Sequence, residues 1–84
     1  MINKITIKDI IKASEGWADY QCADVLIEAS RMRTRLGIIS EMMTNLPTFI
    51  INRDGLYHTI KIEDAKIKYA RLRLCKLKAA GGEE

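Results

Sequence analysis

YQCADVLIEASRMRTRLGIISEMMTNL, residues 20–46, is the stretch that decides the predicted fold. Its apolar side chains recur at alternating spacings of three and four residues, which is typical of a helix that packs one narrow stripe against another helix. One row of this seam holds Cys22, Ala29, Leu36 and Met43, and the other holds Val25, Met32, Ile39 and Leu46. Strong parallel dimers favour Ile or Val in the first row, so this composition indicates close antiparallel packing within one chain. We predict a long helix over residues 19–46.

The predicted long helix is apolar around more than one side. Four further apolar residues lie outside its seam, namely Leu26, Ile27, Ile38 and Met42. The helix must therefore be covered from more than one direction, and we expect the first and last helices of the chain to supply that cover. A second copy of the chain must cover what they leave open, which is the reason to expect a homo-oligomer.

Residues 6–15 are predicted to form a short helix ahead of the long one. Thr6 is followed three residues later by Asp9, a weaker version of the capping box, and Gly16 is the stop signal. Trp17 lies in the joint between the two helices. We expect its side chain to fill a small core there, because a buried indole combines a large apolar area with one N–H donor.

The pattern changes after Pro47 from helical spacing to alternation. Residues 48–62 are predicted to form a two-stranded antiparallel β-hairpin, because β-branched and aromatic runs flank the turn residues Asp54 and Gly55. The fold class that follows is α+β, with a short helix, a long central helix, the β-hairpin and a C-terminal basic helix. We expect residues 1–84 to form a single small domain.

The last helix is predicted over residues 63–80, followed by a tail of residues 81–84. One apolar ridge consists of Ile67, Ala70, Leu74 and Leu77, and a second consists of Ala65, Tyr69, Leu72 and Ala79. Six cations flank the second ridge, namely Lys66, Lys68, Arg71, Arg73, Lys76 and Lys78. The first ridge is expected to pack on the hairpin and the long helix. The second ridge then faces solvent or a partner.

Charge is distributed unevenly along the chain. The formal net charge is +3, but residues 1–30 carry three lysines against five acidic residues, and residues 31–82 carry eleven basic against four acidic residues. Such asymmetry indicates an acidic partner, either a protein or nucleoprotein surface or RNA or DNA. The alternative is that the charges only keep a small helical domain soluble. The candidate binding residues are Arg31, Arg33, Arg35, Arg53, Lys66, Lys68, Tyr69, Arg71, Leu72, Arg73, Lys76 and Lys78.

No residue pattern in the sequence indicates catalysis, a cofactor or a metal. His58 is the single histidine, and neither Cys22 nor Cys75 has the spacing of a metal ligand relative to it. The two isolated thiols favour a reducing compartment, and no apolar run approaches the roughly 20 residues of a membrane span. We therefore expect a cytoplasmic, non-catalytic protein that does not associate with membranes.

Three functions remain open from the sequence. The first is a small regulator or inhibitor that docks on an acidic protein or nucleoprotein, and the second is an RNA- or DNA-binding protein without sequence specificity. The third is a structural assembly subunit. Residues 47–78, with Asp54 and Gly55 at the turn, are similar to the small head-completion proteins of tailed phages. The resemblance implies an assembly role, and no site residue is carried over from it. A compact cytosolic chain without catalytic residues also suits a phage or mobile-element accessory protein, which is the type of regulator we expect.

Overall fold

Helices make up most of the part of the chain that the structure describes. The computed structural model describes residues 5–43 and 53–81. Its elements are α1 (Ile7–Ser14), α2 (Asp19–Met43) and α3 (Arg53–Gly81). The described residues are 91% helical and contain no strand. Within that part of the chain the fold is therefore all-α, and the α+β prediction is wrong.

The β-hairpin predicted over residues 48–62 is the specific error. Residues 53–62 form the first turns of α3, so Asp54 and Gly55 lie inside a helix rather than at a hairpin turn. Residues 48–52, the predicted first strand, lie outside the described residues. The similarity to head-completion proteins loses its basis, because it depended on that hairpin.

The apolar pattern of α3 explains why it was read as a strand. Leu56 and Ile60 are half-buried and lie four residues apart, and Ile62 and Ala65 are buried three residues apart on another side of the helix. A helix that contacts neighbours on two sides needs apolar residues on two arcs. Over a few residues, two interleaved arcs look like the alternation of a half-buried strand.

The start of α1 follows from a local exchange of hydrogen bonds. The Asp9 N–H donates to Thr6 Oγ1 at 3.3 Å, and the Thr6 N–H donates to Asp9 Oδ2 at 2.8 Å, which confirms the predicted capping box. The bond from the Thr6 N–H, together with a smaller contribution from the Thr6 side chain, lowers the pKa of the Asp9 carboxyl, since it stabilises the charged form. The helix covers eight residues, two fewer than predicted, and a helix this short depends on packing for its stability.

Small residues on one side of α2 determine how it packs on α3. Cys22, Ala29 and Leu36 are buried, as predicted for the first row of the seam. The second row is different, because Met32 and Ile39 are exposed. The side chain of Met43 and all of Leu46 lie outside the described residues.

Two interactions show that α2 and α3 run antiparallel. Arg33 of α2 lies beside Asp64 of α3, while the Trp17 carbonyl, just before α2, accepts a hydrogen bond from Arg73 further along α3. Positions early in α2 are thus level with positions late in α3. Ala70 is fully buried on α3, and such small side chains allow helix axes to approach closely.

The first helix packs on α3 rather than on α2. Ile10 of α1 forms a buried cluster with Ile62 and Ala65 of α3, and Trp17 and Tyr69 pack against it. The expected role of Trp17 as a plug of a small core is thus confirmed, with α3 as the other wall. Because α3 lies between the other two helices, the sides of α2 that face away from α3 are not covered by α1.

The resulting molecule is flat. Its Cα atoms extend over 57 × 28 × 13 Å, and the smallest dimension is close to that expected for a single layer of helices. A single layer buries each helix on one or two sides only. Four large apolar residues on the outer side of α2 are accordingly between 53% and 66% exposed, namely Tyr20, Ile27, Ile38 and Met42.

Candidate docking surface

The outer side of α3 presents a strip of cations. At about 100° per residue, Lys61, Lys68, Arg71 and Lys78 share an arc of about 100° on α3, and all four are exposed. Asp64, which pairs with Arg33 of α2, lies on the same arc, and Lys61 and Lys68 border a groove that Ile7 of α1 also lines. Leu72 lies on the same arc and is 46% exposed. At 1.5 Å per residue the strip is about 25 Å long. We call these five residues the α3 strip.

The cations of the α3 strip form no ion pair within the described residues, and Asp64, the acidic residue on the same arc, is paired with Arg33. Lys68 lies over the Tyr69 ring, 5.4 Å from its centroid. A cluster of unpaired cations raises the local potential and attracts anionic surfaces.

Several predicted binding residues are occupied by contacts within the protein. Arg33 Nε donates to Asp64 Oδ1 at 2.9 Å, and both side chains remain partly exposed. Arg73 Nε donates to the Trp17 carbonyl at 3.0 Å, which ties α3 to the joint between α1 and α2. Tyr69 is half-buried against the α1 contact. These three side chains position helices and contribute less to a free surface.

Lys66 is also paired. Its Nζ lies 3.0 Å from Glu63 Oε2, one turn earlier on the same helix, and Glu63 is buried. A buried carboxylate without a cation would be costly, so this pair stabilises the position of Glu63.

The remaining predicted residues fall into two separate groups. Lys68, Arg71, Leu72, Lys76 and Lys78 are exposed on α3. Arg31 and Arg35 are exposed on the side of α2 that faces away from α3, so they do not extend the α3 strip. Arg53 is the first residue of α3 and its side chain lies outside the described part.

Sequence reasoning missed Lys61 and Tyr57 as parts of this surface. Both fall within residues 48–62, the predicted hairpin, whereas they lie on α3 and are exposed. The spacing of four residues from Tyr57 to Lys61, and of seven from Lys61 to Lys68, is helical. Continuing the helical pattern back through Gly55 would have found them.

An open groove lies beside this surface, between the segment before α1 and the first turns of α3. It has a volume of about 440 Å³ and is lined in part by Ile5, His58, Ile62 and Lys66. His58 Nε2 lies 3.0 Å from the Ile5 carbonyl oxygen, so the imidazole is engaged with the main chain. His58 and Lys66 are thus both engaged in contacts within the protein, with the Ile5 carbonyl and with Glu63. The groove could hold a ligand by its shape, but these two side chains are not free to react with one.

The two cysteines differ in environment. Both are free thiols, Cys22 buried and Cys75 exposed. Burial raises the pKa of the Cys22 thiol, and the positive charge of Arg73 acts in the opposite direction. Within residues 5–43 and 53–81, no group of three or more His, Cys, Asp or Glu side chains is arranged to hold a metal ion.

Comparisons with known proteins identify no family and no relative for this chain. The chain was compared with protein-family models, with curated proteins and with solved structures, and nothing matched in any of the three. None of the described helices combines enough length and apolar character to cross a membrane.

Proposed function

We propose that this chain is a non-catalytic binding protein that docks through the α3 strip on an acidic partner protein, as a small regulator or inhibitor does. The observation that carries the proposal is the set of exposed cations near Leu72 on α3, none of which forms an ion pair with the residues that the structure describes. Docking of this kind needs surface complementarity and no reactive group.

Each part of the strip has a separate physical role in the proposal. The cations steer an acidic surface towards α3 and set its orientation, an effect that weakens with salt. Leu72 supplies apolar area along one edge of the strip, where water is excluded on docking. A strip about 25 Å long fits one face of a helix or one acidic edge of a folded partner.

An acidic protein explains the strip better than a nucleic acid does. An exposed leucine among the cations gains from an apolar contact, which a phosphate backbone does not offer. Tyr69 is held against α1 and covered by Lys68, so its ring is not free to stack on a base.

Nucleic acid is the second candidate, and one observation favours it. The Tyr57 ring is 51% exposed on the same side of α3 as Lys61, and an exposed ring beside cations is a stacking platform for single-stranded RNA or DNA. For either partner we place the protein in the cytosol, because both cysteines are free thiols.

The proposal is tested by affinity purification of the tagged protein from its own cells, with and without nuclease. The test variant is Arg71→Glu with Lys78→Glu. The matched control is Lys12→Glu with Arg35→Glu, the same change of charge at one exposed residue of α1 and one of α2, both outside the α3 strip. We expect an acidic protein that is captured by the wild type and the control, resists nuclease and is lost with the test variant.

Two results would reject the proposal. Capture that the Arg71 and Lys78 reversal leaves unchanged would remove the α3 strip from the interface. Capture lost on nuclease treatment would favour the nucleic-acid alternative. Leu72→Ala then separates the partners further, because it weakens an apolar protein contact and leaves phosphate binding unchanged.

A further inference from the structure

The outer side of α2 carries an apolar row that no part of the described chain covers. Tyr20, Ile27, Ile38 and Met42 lie on this side, opposite the buried Cys22 and Ala29. Each is more than half exposed. α1 packs on α3, so it leaves this row open.

Four charged residues on the same side of α2 follow a fixed order. Asp24 and Glu28 come first along the helix, and Arg31 and Arg35 follow. All four are exposed, and within the described residues none forms an ion pair with another side chain. This side is therefore acidic over its first half and basic over its second half.

We propose that the outer side of α2 is a self-complementary interface, and that its occupant is the α2 helix of a second copy of this chain, antiparallel to the first. In a two-fold contact, if one residue meets a second, the second meets the first in return. When two α2 helices are related in this way and run in opposite directions, the acidic half of each lies beside the basic half of the other. If they ran in the same direction, like charges would meet.

One register satisfies both charge pairs at once. Asp24 and Arg35 are equally distant from a point between Ala29 and Ser30, and so are Glu28 and Arg31. A two-fold axis at that point sets Asp24 beside Arg35 of the second copy and Glu28 beside Arg31 of the second copy. Each pair then occurs twice.

Apolar contacts agree with the same register. The axis sets Tyr20 of one copy level with Ile39 of the other and next to Ile38, and all three side chains are exposed in the single chain. The two helices overlap over most of their length, about 33 Å. The interface therefore combines apolar burial near its ends with opposite charges near its centre.

The interface is independent of the proposed function. It uses the side of α2 that faces away from α3, so the α3 strip of each copy stays free. Variants of the strip are expected to leave self-association unchanged, and the two ideas can fail separately.

Charge reversal across the axis tests the proposal by light scattering and sedimentation over a wide range of concentrations. We expect a dimer for the wild type. Asp24→Arg with Glu28→Arg makes all four charges positive, and Arg31→Glu with Arg35→Glu makes all four negative. Each double variant alone is expected to have a dimer dissociation constant raised about a hundredfold, because like charges then meet across the axis.

Mixing supplies the decisive arm of the experiment. An equal mixture of the two double variants is expected to form a mixed dimer, because every like-charged contact becomes an opposite-charged one. The quadruple variant that exchanges both signs is expected to dimerise as the wild type does. Lys8→Glu with Lys12→Glu on α1 is the control that leaves dimerisation unchanged, and circular dichroism checks the fold of each variant.

Several outcomes would overturn the proposal. A wild type that stays monomeric at all concentrations excludes the second copy as occupant, and binding of that monomer to anionic lipid vesicles would assign the face to a membrane surface instead. A dimer that neither double variant weakens uses another face. A mixture that stays monomeric shows that the charge pairs do not meet.

Discussion

Replacing Ala29 by leucine tests the packing of α2 on α3 most directly. Ala29 is 2% exposed in the middle of the buried row of α2, so the added atoms of a leucine have no free space. The matched control is Ala23→Leu, the same change at an exposed position of the same helix. Alanine and leucine have similar helix propensities, so the difference between the two variants measures packing alone.

The expected cost of Ala29→Leu is about 1–3 kcal/mol, as for overpacking of a filled core. Ala23→Leu is expected to change the free energy of unfolding by less than about 0.5 kcal/mol. For a chain of this size each kcal/mol corresponds to about 4–8 °C in Tm. The total stability expected is only about 4–13 kcal/mol, so the change is a substantial part of it.

The assay is urea denaturation of both variants at equal protein concentration. Circular dichroism follows the helices, and fluorescence follows Trp17, the single tryptophan, which packs at the contact of α1 with α3. The two signals are expected to give the same midpoint if the helices unfold together. Equal stability of the Ala29→Leu and Ala23→Leu proteins would refute the packing of this row against α3.

Three further predictions concern single side chains. Gly37→Ala adds a Cβ that lies 3.2 Å from Arg33 Nη1, and Arg33 is held by Asp64. The helix-propensity gain of about 0.5–1 kcal/mol in the free energy of unfolding is therefore expected in full in an Arg33→Ala background and is reduced in the wild-type background. Chemical denaturation of the variant in both backgrounds checks this, and a loss of stability in the Arg33→Ala background would contradict it. Thr6→Ala removes the side-chain bond to the Asp9 carboxyl but keeps the backbone N–H, which is the larger cause of its lowered pKa. An NMR titration should therefore show that pKa rising only part of the way towards 3.8, and an unchanged pKa would show that the Thr6 hydroxyl does not act on the carboxyl. The raised pKa of the Cys22 thiol means that the folded state favours the neutral thiol. This contribution to stability is complete below the pKa of the unfolded state and is lost as the pH rises through the pKa of the folded state. The free energy of unfolding should therefore fall more for the wild type than for Cys22→Ala between neutral pH and pH about 10, and equal losses would exclude the effect.

Local signals in the sequence predicted local structure correctly. The capping box at Thr6 and Asp9 involves neighbours in the chain, and it forms as the pattern predicts. The burial of Cys22 and Ala29 also follows from spacing, because a helix keeps residues seven apart on one side. The capping box depends only on neighbours in the chain, and the buried row of α2 depends only on the helical period and on contact with one other helix.

Tertiary context decided the features that sequence reasoning missed. Met32 and Ile39 belong to the same seam as Ala29, yet they are exposed because α1 packs on α3 and gives α2 no second neighbour. The hairpin was wrong for the related reason that α3 has neighbours on two sides, which spreads its apolar residues over two arcs. Spacing within one segment does not show how many neighbours the segment has.

The candidate site was predicted in part. The exposed cations of α3 are where the helical pattern puts them. Arg33 and Arg73 were predicted as binding residues, but they contact Asp64 and Trp17, 31 and 56 positions away in the chain. Pairs this distant cannot be seen in a single sequence. The pair of Lys66 with Glu63 is one helical turn long, and its spacing alone indicates it.

The docking of α1 on α3 has a consequence for the order of folding. The bonds that anchor this end of the chain join residues 53 and 56 positions apart, from Ile5 to His58 and from Trp17 to Arg73. Such contacts close long loops, whereas the end of α2 and the start of α3 meet across a shorter connection. Loop closure costs more entropy as the loop lengthens. The amide protons of α1 should therefore exchange with solvent faster than those of the α2–α3 pair, because α1 joins last and opens first.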